Sequence, residues 1–381
     1  MLNASQRLLI VNSPPQHLFA PASSLKDALQ ARVDQFFEAT GKSRHADIRM
    51  YVKAAILLAW FVVSYYVLVF RVTTLWMGLL VAMSLGLAIT GIAFNIQHDG
   101  NHGSFSKRNW LNRLAGLTLD FIGASSYLWV QKHNLAHHTY TNIPGSDEDI
   151  EIQPLGRLAP DDPYYTLHRF QHFYLWLVYA LLPMQVHFYN DFRKLWRGKI
   201  STRTFPRPHG WELAGLIAGK LVFASWAFVI PCFFHRIWVV ALFYLLTSGV
   251  MGVVLSVVFQ LAHSVEETGH PSLDDEIRSE WVRHQIQTTA EFARGNPLVT
   301  WYLGGLNFQT THHLFPKVCH IHYPRLSRII EQECRTHGVE YLTQRSLSGA
   351  VRSHYRFLRR LAVPPASTAA PATTQGAALG N

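Results

Sequence analysis

Cysteine is scarce in this chain. Its 381 residues hold three, Cys232, Cys319 and Cys334, far apart and never as a CxxC pair, which excludes a disulfide framework and a thiolate metal site. Any metal here is held through nitrogen and oxygen. No HExxH stretch occurs, so a zinc-protease helix is excluded. A soluble carboxylate di-iron bundle needs paired Glu-x-x-His motifs, and the one match, Glu267 to His270, runs straight into Pro271 and reads as a loop. Charge is also sparse, at 15% of residues, with a net excess of +10. The basic residues flank apolar runs and form no stripe with interleaved aromatics, so the pattern indicates anionic lipid headgroups and not nucleic acid. The first sustained apolar run begins only near Tyr51. Behind such a leader we expect no signal peptide, and an N-terminus in the cytoplasm.

What the chain has is long apolar runs. A bilayer core of roughly 30 Å needs about 20 apolar residues in a helix, and residues 51–70, 73–97, 213–234 and 237–262 meet this. Arg71 and Val72 alone separate the first two, and His235 and Arg236 turn the second pair. The expected fold is therefore an all-α integral membrane protein with four transmembrane helices in two hairpins. Lys220, inside the third run, is expected to reach for an interface. Two further stretches, residues 114–130 with Asp120 and residues 173–189 with Pro183, read as interfacial or internally packed, because either one crossing alone would split the histidines between two sides. Lys107, Arg108, Arg113, Lys132, Arg193, Lys194, Arg197 and Lys199 all fall between the hairpins. The positive-inside rule then puts that segment and both termini in the cytoplasm.

Ahead of the spans, Leu25, Leu29, Val33 and Phe36 fall at helical spacing. They mark an amphipathic helix on the membrane surface or packed on the catalytic unit. After them, residues 346–362 read as a basic helix carrying Arg352, Arg356, Arg359 and Arg360, and residues 363–381 as a disordered tail. The division is thus 1–50 cytoplasmic, 51–345 membrane unit, then helix and tail.

Histidine is the chain's second abundance, with 21 copies. One HxxxH pair is expected by chance about once at this composition, so His168 and His172 carry little weight. The other histidines form a set. His98 and His102 end the second run; His133, His137 and His138 form HxxxHH; Gln309, His312 and His313 form QxxHH; His263 closes the fourth run. An HxxxHH triple alone arises by chance on the order of 0.1 times. On a helix, residues four apart share a face, so His98 with His102 and His133 with His137 converge, while His138 is turned by about 100° and reaches a second ion. Eight histidines and one glutamine are too many for one ion and suit two. Imidazole accepts Fe, Zn, Cu or Ni, so the ligand type does not choose the metal.

These boxes and their wording, His98-Asp99-Gly100-Asn101-His102-Gly103-Ser104-Phe105, His137-His138-Thr139-Tyr140-Thr141-Asn142 and Asn307-Phe308-Gln309-Thr310-Thr311-His312-His313-Leu314-Phe315-Pro316, resemble the membrane fatty acid desaturases over roughly residues 45–345. The match is to the branch whose third box opens with Gln, which holds front-end and bacterial linoleoyl-CoA desaturase-like proteins. The resemblance implies a cytoplasmic helical cap with two irons on His98, His102, His133, His137, His138, His263, His312 and His313. Gln309 is either a ligand through its amide oxygen or a partner of one. It further implies dioxygen as co-substrate, a cis double bond as product and an acyl-CoA or acyl-lipid as substrate, within a membrane expected to be the bacterial inner membrane. Two departures stand out: Thr310-Thr311 replaces the Ile-Glu of many front-end members, and no His-Pro-Gly-Gly haem motif is present. Electrons are therefore expected from a separate donor of ferredoxin, cytochrome b5 or flavin-reductase type.

Competing readings remain open at this point. The same scaffold hosts hydroxylases and related oxygenases. A metal transporter would place ionisable ligands in mid-span, and a membrane haem protein would pair histidines inside facing helices; here they sit at span ends. Asp99 and Asn101 are expected either to orient the histidines or to cap a helix, Asp147-Glu148-Asp149 to form a charged loop, and His284, His320 and His322 to stay outside the site. The basic helix is expected to face membrane or solvent, with an electron-donor dock as its rival.

Overall fold

Among the described residues, four helices are long and apolar enough to cross a membrane, Ile48–Phe70, Leu75–His102, Trp211–Cys232 and Ile237–His263. They come from a computed structural model that describes residues 19–20, 24–271 and 280–364. Most of the N-terminal leader and the tail from residue 365 lie outside the described residues.

The largest difference from the sequence expectation is the end of the second span. Hydropathy stops at Gln97, but the helix continues through a π-turn at Ala93–Gln97 and one more turn at His98–His102. Polar side chains allow this by taking up backbone carbonyls: Asn95 Nδ2 donates to Gly91 O at 2.8 Å and Tyr302 O at 2.9 Å, and Gln97 Nε2 donates to Ala93 O at 2.9 Å. Gly103, at φ 74°, then ends the helix with a left-handed cap.

The first two spans form the expected hairpin, bonded through Trp60 Nε1 to Ser84 Oγ at 2.8 Å and Ser64 to Ser84 at 3.0 Å. The fourth span packs closely on the second: a Cβ on Gly86 would sit 2.7 Å from Thr247 O, so only glycine permits that approach. The third span is more loosely held and exposes Trp211, Leu221 and Phe233. Lys220 does not reach outward; its ammonium donates to Asp191 and to Gly123 O, both at 2.7 Å. The residue 173–189 stretch is the short helices Gln171–Tyr179 and Leu182–Gln185 and a π-turn at Val186–Asn190. It packs on the fourth span, where His187 Nδ1 meets Tyr244 OH at 2.9 Å, and exposes Phe173, Leu177 and Phe188 on its outer side.

Lys53, near the start of the first span, is also buried. It donates to His320 Nε2 at 2.9 Å; His320 Nδ1 lies 2.9 Å from Asp99 Oδ2, and the Cys319 thiol donates to the same carboxylate at 3.0 Å. A charge removed from water costs several kcal/mol unless it is paired, and this chain pairs one across the domain. It ties the first span to the segments bearing the first and third histidine boxes.

The amphipathic helix Ser24–Thr40 packs on the domain. Its buried stripe is Leu25, Leu29, Val33 and Phe37, with Phe36 only partly covered, and it meets Leu326 and Ile330 of Tyr323–Thr336. The basic run forms the helix Leu347–Leu361. Phe357 and Leu358 are buried against Leu175 and Tyr179, while Arg352, Arg356, Arg359 and Arg360 are exposed.

Candidate metal centre

Four separate segments bring the box residues together. The second and fourth spans deliver His98, His102 and His263 at their ends. A π-helical stretch at Val130–His137, continued by His138–Tyr140, carries the second box, and the short helix Gln309–Leu314 carries the third. All nine residues are buried.

Their ligand atoms fall into two groups. His98, His102, His133 and His312 offer nitrogens within 4.8 Å of one another, and so do His137, His263 and His313. His138 lies between the groups: its Nε2 is 3.3 Å from His133 Nε2, and its ring stacks on His313 at 4.3 Å. The Gln309 amide lies 3.0 Å from His263 Nε2 and 3.2 Å from His313 Nε2, so it belongs with the second group.

The second box keeps the i, i+4 expectation in that His133 and His137 share a face, their rings stacked at 5.2 Å. Their nitrogens nonetheless also join different clusters, His133 with His98, His102 and His312, and His137 with His263 and His313. The third box is α-helical. There Gln309 and His313 share a face and His312 turns to the other group, as α-geometry requires.

Hydrogen bonds on the far sides of the rings show which nitrogens face inward. His137 Nδ1 is 2.9 Å from Asp147 Oδ2, His312 Nδ1 is 3.1 Å from Tyr323 OH, and His313 Nδ1 is 2.7 Å from Gln285 Oε1. A carboxylate and an amide oxygen only accept, so His137 and His313 carry their protons on Nδ1 and turn lone pairs inward. Those two Nε2 atoms are 3.2 Å apart. With both rings neutral, two lone pairs would face each other at that distance, which a bound cation relieves; a His137 imidazolium would instead donate to His313 Nε2. Within the first group, His98 Nε2, His102 Nε2 and His312 Nε2 are buried without a partner, although buried polar atoms are normally satisfied.

Electrostatics favour neutral ligands. Burial holds the imidazoles of His133, His138, His312 and His313 well below their usual pKa. At His137 burial acts the same way, but Asp147 outweighs it and lifts the imidazole above its usual range. A buried, nitrogen-rich pair of clusters, neutral except where Asp147 favours the His137 imidazolium, is suited to a transition-metal site.

Several residues around the clusters depart from the sequence reading. Asp147 is no surface charge: it is buried and clamped by Asn142 N at 2.9 Å and Asp149 N at 3.0 Å. Asp99 turns away from the histidines toward His320, and Asn101 bonds Gln97 Oε1 at 3.0 Å. His284, His320 and His322 lie outside both groups. Gln285 and Tyr323 carried no sequence signal and Asn142 only its place in the second-box wording, yet each supports a site segment. Asn142 Nδ2 donates to His263 O at 2.8 Å and Thr288 O at 3.2 Å, joining the second box to the fourth span.

Comparison with known proteins decides among the scaffolds that can carry such clusters. A family model described as fatty acid desaturase matches residues 74–345. The chain belongs to the fatty acid desaturase family. An sn-1 linoleoyl-lipid 6-desaturase of Arthrospira platensis is 38% identical over 361 residues, covering 92% of this chain and 96% of the relative. A protein of the same description from Synechocystis is 37% identical over 347 residues, 90% of this chain and 97% of the relative. An acyl-lipid (8-3)-desaturase of Physcomitrium patens is 30% identical over 338 residues, 87% and 70% respectively. This desaturase is thus an oxidoreductase of lipid metabolism and a membrane protein with a buried histidine site suited to metal, acting on a fatty acyl substrate.

Proposed function

We propose that this desaturase inserts a cis double bond into an acyl group esterified in a membrane lipid, with two irons held by the two histidine groups and dioxygen as oxidant. The observation that carries the reading is the 3.2 Å approach of His137 Nε2 to His313 Nε2, set beside a second cluster of unpartnered ring nitrogens. His98, His102, His133 and His312 are assigned to one ion, and His137, His263, His313 and the Gln309 amide oxygen to the other, with His138 between. Iron with dioxygen supplies the oxidising power that no side chain has against an unactivated C–H bond. The balance is one methylene pair, dioxygen, two electrons and two protons giving one double bond and two waters.

The chain's own residues hold and orient. Asp147, Gln285 and Tyr323 fix the rings of His137, His313 and His312 through their outer nitrogens. Trp129 stacks on His133 at 4.3 Å and lies edge-on to His102 at 5.4 Å, walling one side of the first group. Such walls keep water from the reacting carbons and align one carbon pair. Both termini and the histidine face are assigned to the cytoplasmic side of a bacterial inner membrane, where a separate ferredoxin-type, cytochrome b5 or flavin-reductase donor delivers electrons. Residues 51–345 are the proposed catalytic unit.

The relatives' names make lipid-bound linoleoyl the first substrate to test. Purified desaturase is reconstituted with ferredoxin, its reductase and NADPH, and offered linoleoyl-CoA or a linoleoyl-lipid in bilayers. A new bond at carbon 6 in the lipid-bound chain alone is the expected result. Product from the CoA ester alone would overturn the carrier assignment.

A further inference from the structure

We infer that the two metal positions are chemically inequivalent, and that Asp147 is the positioning residue that makes them so. This rests on the two-metal reading above and extends it to the surroundings of each position.

Among the described residues, none of His98, His102, His133 and His312 shares a hydrogen bond with a carboxylate. Their bonded or ring-packed neighbours are the neutral Tyr323 phenol at His312 and the Trp129 ring, and the Asp149 carboxylate comes within 4.8 Å of His133 without bonding it. The other group differs in kind. Asp147 Oδ2 meets His137 Nδ1 at 2.9 Å, and Asp149 Oδ2 stands behind it at 3.6 Å. The acidic turn Asp147-Glu148-Asp149 is neutralised unevenly. Lys132 pairs with Asp149, and Lys194 with Glu148 at 2.5 Å. Asp147 has no lysine or arginine partner among the described residues; its one ion-pair partner is His137. Its carboxylate is also fixed in advance by the backbone N–H groups of Asn142 and Asp149.

A carboxylate that accepts from the outer nitrogen of a ligating imidazole fixes the ring's tautomer and orientation and makes its inner nitrogen a stronger donor. Loss of such a partner typically weakens metal binding 10–100-fold. Tyr323 and Gln285 orient their histidines too, but as neutral groups they add less donor strength. His137 is therefore the strongest single imidazole donor of its position, and the affinity of that position depends on Asp147.

The test uses full-length protein loaded with iron-57, counted as iron per chain and read by Mössbauer spectroscopy during challenge with a chelator. The wild-type chain should hold two irons in two distinguishable environments. In Asp147→Asn, which keeps the shape but replaces one accepting oxygen with an NH2 and so gives up one of the two backbone bonds, affinity for one environment should fall about 10–100-fold while the other is unchanged. Tyr323→Phe should perturb the opposite environment. Glu148→Gln controls for the turn, since Glu148 bonds no histidine. Loss of both irons at equal rates in Asp147→Asn, or the same selective loss in Glu148→Gln, would overturn the proposal. A wild-type chain that binds fewer than two irons would instead remove the two-metal reading beneath it.

Discussion

The amide of Gln309 lies 3.0 Å from His263 Nε2, bridging the third histidine box and the end of the fourth span. The same amide is 3.2 Å from His313 Nε2. Rotated so that its oxygen faces inward, it would complete a four-donor set with His137, His263 and His313. Amide orientation follows whichever partner is present, so a metal ion would draw the oxygen toward itself.

Gln309→Ala should therefore lower iron affinity at the second position, with content falling from two per chain toward one. Gln309→His, which restores a nitrogen donor on the same helix face, should keep both. Iron analysis of the purified variants checks this, and full iron in Gln309→Ala would remove Gln309 from the ligand set.

Gly100 sits inside the first box, where the helix Asn109–Gly116 crosses it. A Cβ there would lie 2.5 Å from Gly116 N and 2.8 Å from Ala115 C, and backbone gives way poorly. Gly100→Ala should cost about 1–3 kcal/mol as overpacking and displace His98 and His102. A lower thermal midpoint together with loss of iron is the expected pair of results. An unchanged iron content would show that the box tolerates the shift.

Lys53 and Asp99 pair through His320 in a buried chain. Removing one partner of a buried pair leaves the other uncompensated, at about 3–5 kcal/mol. Lys53→Met should lower the thermal midpoint in detergent, and the double variant Lys53→Met/Asp99→Asn should lose less than the sum of the single losses. Additive losses in that cycle would mean the two charges are not coupled.

Much of this architecture was legible in the sequence because two signals are strong there. Four charge-poor runs of span length mark the membrane helices, and the ordered boxes mark the buried histidines. The end of the second span was less legible. The spacing of His98 and His102 marks a helix face, but the apolar run ends before them, and the continuous helix that buries them passes through a π-turn where Asn95 and Gln97 bond the carbonyls of Gly91 and Ala93. The shared face of His133 and His137 was legible from their spacing, but not the cluster each one joins, which depends on the histidines that other segments bring to each ring. Asp147 was visible as part of an acidic triplet, but not its partner, because a charged turn reads alike on the surface or against a histidine. Gln285 and Tyr323 approach the site through long-range packing alone, and no local pattern marks them.

The most direct test of the account is the lipid profile of a host lacking polyunsaturated acids, expressing either this chain or the variant His137→Ala, His138→Ala, with lipid-bound monoenoic and dienoic acids available. The account predicts a new cis double bond, without added oxygen, in the lipids of the first host only. A hydroxylated product from the intact chain, or the same double bond from the double variant, would contradict it.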